Sequence, residues 1–243
     1  MIHSTKGIVL RTVKYGDTSI IAVIFTEMYG VQSYIVNGVR VSGKSSKAHF
    51  FQPSSILDMQ VYHSELKNLQ RLRELCWSYV YRNILSDVVK NAVALYMVEL
   101  LFKCLKQPES NPDLFNFCED AFLQLDSSDA EVTANFPIYF SLQLAHFFGF
   151  GVQNNYSGER NYFNGREGNF AGKILPNDPF VEADISYCIS QLLKAMRPAD
   201  LTEIKLNKNI RRTILSAMEN YYAFNIPEFG QLKTLPVLHE LLG

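Results

Sequence analysis

The feature that most constrains this chain is a change of hydrophobic period near residue 80. Before it, short runs rich in β-branched residues alternate with turn signals. "GIVLRTVKY" (7–15) and "TSIIAVIFTE" (18–27) are separated by "GD", a hairpin signal, and "MYG" turns the chain into "VQSYIVNG" (31–38). In "SSILDMQVYH" (54–63), Leu57, Met59 and Val61 fall on one face and Asp58, Gln60 and Tyr62 on the other. "LQRLRELCWSY" (69–79) reads as a strand or as the start of a helix. Five short strands in about eighty residues are the right size for a small closed barrel such as an OB-fold.

After residue 80 the period is helical. "SDVVKNAVALYMVELLFKCLK" (86–106) predicts a helix capped by Ser86 with Asp87 in its first turn. Asn111 and Pro112 open a second helix, a cap followed by proline at the first helical position. A third is expected over 136–149, stopped by Gly149, a fourth over 178–196 and a fifth over 207–224. "LPVLHELL" (235–242) closes the chain, and residues 151–176 form an irregular loop rich in Gly and Asn. The fold class is α+β in two domains: a five-stranded OB-fold barrel over 1–80, then an all-α helical domain over 81–243.

The net charge of −1 conceals an asymmetry. Residues 1–80 hold nine Lys and Arg against five Asp and Glu, and the remainder fourteen against nineteen. A basic module on an acidic body suits a polyanionic partner for the first part. No apolar run reaches the ~18 residues of a membrane span, and no secretory leader stands at the N-terminus. The expected location is therefore the cytoplasm. Four scattered cysteines and five scattered histidines form no close ligand pair, so no metal site, cofactor or disulfide is expected.

"NGVRVSGKSSK" (37–47) contains Gly38, four residues, then Gly43, Lys44 and Ser45, the pattern of a nucleotide-phosphate loop. Such a loop needs a buried parallel strand before it and a helix immediately after. The next stretch is "SSKAHFFQPSS", without helical period and with Pro53 eight residues past Ser45, and then an alternating strand. An NTPase reading is accordingly the weaker one. The same loop reads better as a basic segment in which Arg40, Lys44 and Lys47 meet phosphates beside Arg11 and Lys14 of the first strand. Arg11 and Lys14 fall on opposite faces, so at most one of them shares a groove with the loop unless the strand bends, and the alternative for Arg11 is a pair with a barrel carboxylate. Tyr15, Tyr29, Tyr34, Phe50, Phe51 and Tyr62 are candidates for base stacking, with Phe50 and Phe51 suited to filling the barrel instead. A second basic cluster, Lys205, Lys208, Arg211 and Arg212, has no intervening acid, and positions 205, 208 and 212 share a helical face. It is either a solvated face or the continuation of a nucleic-acid track.

The opening "GIVLRTVKYGDTSIIAVIFTEMYGVQSYIVNGVR" and the closing "IRRTILSAMENYYAFNIPEFGQLKTLPVLHELL" resemble the bacterial RecO family of recombination mediators. The first holds a "VL+" strand, a "YG[ED][ST]" turn and a "KGVR"-like loop. The second holds a basic helix, a "YY" stretch and an "LKSL.VL"-like end. The resemblance implies an N-terminal OB-fold, a C-terminal helical bundle and no catalytic residues. It further implies binding of single- and double-stranded DNA, strand annealing in DNA repair and recombination, and action on the nucleoid with RecR and the acidic C-terminal tail of SSB. Many members carry a four-cysteine zinc module between the middle helices; residues 151–173 stand in that position without a cysteine. The competing readings are an RNA-binding OB-fold module with a helical dimerisation domain, and a P-loop NTPase.

Overall fold

Alternation in the first eighty residues builds five strands: β1 (Ile2–Tyr15), β2 (Ser19–Thr26), β3 (Gly30–Val36), β4 (Ile56–Tyr62) and β5 (Leu69–Tyr79). The computed structural model describes residues 2–39, 47–174 and 178–242. The strands close into a barrel in the order β1-β2-β3-β5-β4, antiparallel throughout except for β3 beside β5. This is the strand order of an OB-fold. Val9, Ile24, Tyr34, Leu57 and Val61 are fully buried in its interior. Gly7 permits that packing, because a Cβ there would lie 2.4 Å from Met59 Cε and 2.6 Å from Ile24 Cγ2.

Three register shifts shape the barrel, the one between Ile56 and Leu57 on the β4–β5 pair among them. The β1–β2 register shifts between Val9 and Arg11, and β1 pairs with β4 only as far as Ile8. Beyond this bulge, residues 11–15 pair with β2 alone, and all of them are exposed. A second shift places Val61 opposite Leu72 and Gln60 opposite Glu74, leaving Arg73 as the extra residue of β5.

The chain divides into two compact units, Met1–Arg82 with Leu105–Leu123, and Asn83–Cys104 with Gln124–Gly243. In the first unit, α2 (Pro112–Ser127) packs its opening turns on the barrel as far as Leu123. Asn111 Oδ1 accepts from Leu114 N at 3.0 Å, the Phe115 ring lies 5.6 Å from that of Phe25, and Lys6 Nζ donates to Glu119 at 2.8 Å. Gly30 adopts φ +61° in the β2–β3 turn, where a Cβ would fall 2.2 Å from the Glu109 carbonyl oxygen. Both the positive φ and that approach require glycine.

The second unit holds α1 (Val88–Cys104), α3 (Ala130–Phe147), α4 (Ala183–Leu192), α5 (Lys208–Asn225) and α6 (Leu235–Leu241). α1 packs on α3 and α6, and α3 on α5. Val93, Met97, Leu100 and Leu101 of α1 are fully buried. Tyr96 and Tyr222 reach Ser141 of α3 through hydrogen bonds of 2.7 Å, to its hydroxyl and its carbonyl.

Several boundaries differ from the sequence expectation. Asp87, not Ser86, caps α1, its Oδ1 accepting from Val89 N at 2.8 Å and Lys90 N at 3.0 Å. α3 begins six residues before Phe136, at Ala130, because Asp129 accepts from Val132 N, and it runs through Pro137. α4 starts at Ala183 because Phe180–Val181 is a strand, β8, paired with Asn164 and Phe163. Residues 151–176 are not uniformly irregular: β6 (Tyr162–Asn164) and β7 (Asn169–Ala171) form with β8 a small antiparallel sheet in the order β7-β6-β8. Asn155 pins it, accepting from Phe170 N at 2.7 Å and donating to Phe170 O at 3.1 Å. Among the described residues, no group of three His, Cys, Asp or Glu is placed to hold a metal ion, and no helix is long and apolar enough to cross a membrane.

Candidate nucleic-acid interface

The barrel opens where β3 ends and β5 continues. β3 runs parallel to β5 through Ile35 opposite Arg71, then leaves it after Val36, and a groove of about 530 Å³ lies along the uncovered part of β5. Lys47, Arg71 and Arg73 line it with Phe50, Leu72 and Glu74. Lys47, Arg71 and Arg73 are exposed. Arg73 Nε lies 3.6 Å from Glu74 Oε1, both side chains substantially solvated, so this pair yields readily to a competing anion. Three cations against one carboxylate make the groove electropositive.

Aromatic rings border the same opening. After Lys47 a single 3₁₀ turn, Ala48–Phe51, presents His49 outward and drives Phe51 into the barrel, where it is 4% exposed. The Phe50 ring lies 4.3 Å from His49 and 4.9 Å from Trp77, and His49 lies 6.1 Å from Trp77. Trp77 stands opposite Leu57 on the barrel-lining face of β5. Phe50 and Trp77 are partly buried and His49 is exposed.

The other aromatic candidates sort by burial. Tyr34 is fully buried, its hydroxyl without a partner among the described residues, and burial raises its pKa above the ordinary phenol value. It does not reach a base, and neither does Phe51. Tyr29 is stacked on His63 at 3.8 Å with His3 edge-on at 5.7 Å. Burial and the neighbouring charge of His3 hold His63 below the usual histidine value. Tyr15 and Tyr62 are 49% and 46% exposed.

The cations named from the sequence have separate surroundings. Arg11 is opposite Val23 and Lys14 opposite Ile20, a barrel-lining residue, so the two lie on opposite faces of the exposed β1–β2 hairpin. Arg40 and Lys44 lie outside the described residues. In the helical unit, Lys205 precedes α5 instead of sharing its face with Lys208 and Arg212, and its Nζ is 2.5 Å from Glu131 Oε2. Arg211 donates to Leu206 O at 2.6 Å and to Leu242 O at 3.1 and 3.3 Å. Arg212 donates to His239 O, at 2.9 Å from Nε. These two guanidinium groups satisfy carbonyls at the C-terminal end of α6, where a helix leaves acceptors unpaired. Lys208, partly buried, begins α5.

Sequence reading did not single out Arg71, Arg73, His49 and Trp77, which the fold gathers at this groove and its border. The signal existed in "RLR" of β5 and in the chain's single tryptophan, but their junction with Lys47 and Phe50 is made by β3 leaving β5. The phosphate-loop pattern also meets its context here. From Ala48 onward stands one 3₁₀ turn and then β4, whose neighbours β1 and β5 are both antiparallel to it. Among the described residues no βαβ unit stands on either side of it.

A closed five-stranded barrel in this strand order defines a class, the OB-fold proteins, and here a cationic groove bordered by rings stands at its opening. The comparisons narrow that class. The family models described as "Recombination protein O N terminal" and "Recombination protein O C terminal" match residues 1–80 and 85–236. The chain is similar to the DNA repair protein RecO of Christiangramia forsetii, 31% identical over 251 residues and covering 100% of both chains. It is likewise similar to those of Phocaeicola vulgatus, 28% identical with 100% of both covered, and Azobacteroides pseudotrichonymphae, 27% identical with 99% of both covered. The chain belongs to the RecO family.

Proposed function

We infer that this protein binds DNA and anneals complementary strands in DNA repair and recombination, as a non-enzymatic mediator acting on the nucleoid with RecR and the tail of SSB. The observation that carries the reading is the cationic groove of Lys47, Arg71 and Arg73 on an OB barrel, in a chain of this family. Annealing makes and breaks no covalent bond; it requires two polyanions to approach with their repulsion reduced. Cations on phosphates do this by releasing condensed counterions, so affinity falls with salt by about 0.7–0.9 log units per log unit for each contact. Arg11, Lys14, Arg40, Lys44 and Lys47 are the proposed phosphate contacts on the barrel side, joined by Arg71 and Arg73. Lys205, Lys208, Arg211 and Arg212 are weaker candidates, since Arg211 and Arg212 already hold carbonyls and Lys205 a carboxylate.

The test is annealing of labelled complementary oligonucleotides without ATP, with and without SSB. Acceleration at low salt that decays as salt rises is expected. No acceleration and no DNA binding at low salt would overturn the reading; a dependence on ATP would revive the phosphate-loop alternative, and preference for RNA in direct competition the RNA-binding one.

A further inference from the structure

Phe50 lines the groove with the three cations, His49 and Trp77 adjoin it through that ring, and the two kinds of group differ in what they can tell apart. Lys47, Arg71 and Arg73 are point charges that meet phosphates, which single and double strands both carry. His49, Phe50 and Trp77 are ring faces at the barrel opening, spaced 4.3 and 4.9 Å along the series. A ring takes a base only when the base has left its stack; in a duplex the base faces are covered by their neighbours. Resting on the DNA-binding reading above, we propose that the His49–Phe50–Trp77 cluster receives unpaired DNA bases and sets the preference of the barrel for single strand over duplex.

Three features support this assignment. Phe50 lines the same groove as the three cations, so a strand whose phosphates track along Lys47, Arg71 and Arg73 brings its bases to that ring. His49 is exposed and tilted 36° on Phe50, extending the aromatic surface outward from the barrel where core packing alone has no use for it. Phe51 already fills the interior from the same turn, and Phe50, only partly buried, packs against that core from its edge. The cations then supply affinity common to both forms of DNA, while the rings supply the difference.

The chain has one tryptophan, Trp77, so fluorescence of the unaltered protein reports the site directly. Titration with oligo(dT) is expected to quench it, whereas a blunt duplex, bound to the same saturation, leaves it nearly unchanged. His49→Ala and Phe50→Leu, with folding checked by circular dichroism, should each weaken oligo(dT) binding about five- to tenfold. Duplex affinity and the salt slope should stay as they were. Absence of quenching at saturating oligo(dT), or equal losses for the two DNA forms, would overturn the proposal. Lys47→Ala/Arg71→Ala/Arg73→Ala separates the two failures. If that variant weakens both forms while the ring variants leave the ratio intact, stacking alone is wrong. If it leaves both affinities intact, the groove itself is misassigned.

Discussion

Arg71 and Arg73 of the barrel and Arg211 and Arg212 of the helical unit are the same residue type in close pairs, yet their guanidinium groups end differently. The first pair borders a groove, and among the described residues its ion-pair partner is a solvated carboxylate at 3.6 Å from Arg73. The second pair donates to the carbonyls of Leu206, His239 and Leu242, and burial lowers the pKa of Arg211 from its ordinary value. The difference teaches that a basic run says little about polyanion binding until its N–H groups are accounted for. A helix terminus consumes donors as effectively as a phosphate does.

The largest expected effect tests the structural pair. Arg211→Ala/Arg212→Ala should lower unfolding stability by about 2–4 kcal/mol, because charged donors leave carbonyls at the end of α6 unpaired. Urea denaturation measures this, and DNA affinity at full folding should change little. A large loss of affinity with unchanged stability would break the contrast. Next comes the reverse pattern: Lys47→Ala/Arg71→Ala/Arg73→Ala should reduce the log-log salt slope for single-stranded DNA by about 2, at ~0.7 per contact. Its stability should stay within about 0.5 kcal/mol of the parent, as surface changes do.

The smallest effect is on pH dependence, and each unit has its own reporter. Burial, then His3, depresses His63 in the barrel; burial, then Arg212, depresses His239 in the helical unit. For both, the folded state binds a proton less readily than the unfolded chain. Stability is therefore retained above the unfolded value of about 6.5 and lost as pH falls from there toward the folded value. Denaturation midpoints between pH 7.5 and 5.5 should fall less in His63→Gln and His239→Gln. Arg212→Ala should shrink the helical contribution in part, burial of His239 being the larger cause, and leave the barrel one as it was, sharpening the contrast between the units.

Much of the barrel was legible, and its ambiguous strand shows where legibility ends. In β5, Leu72 and Leu75 are three apart, a helical spacing, yet both pack against the barrel interior. The bulge at Arg73 inserts one residue and resets the parity. Phe180 and Val181 belonged by pattern to a helix, but pairing with Asn164 and Phe163 makes them a strand. The spacing of positions 205, 208 and 212 puts Lys205 on a helical face, whereas Asn207 caps α5 through Ile210 N and leaves Lys205 outside it.

By itself, the order of residues determined the switch from period two to period 3.6 near residue 80, the positions of most strands and helices, and the basic character of the first part. These are local properties, set by which neighbours lie two, three or four residues apart. Only the tertiary structure decided which cations remain available. Lys47 and Arg71 are twenty-four residues apart and meet because β3 departs from β5. Arg212 and His239 are joined because α6 ends beside α5. Whether a guanidinium faces solvent or a carbonyl depends on what chain segments far away in sequence bring to it.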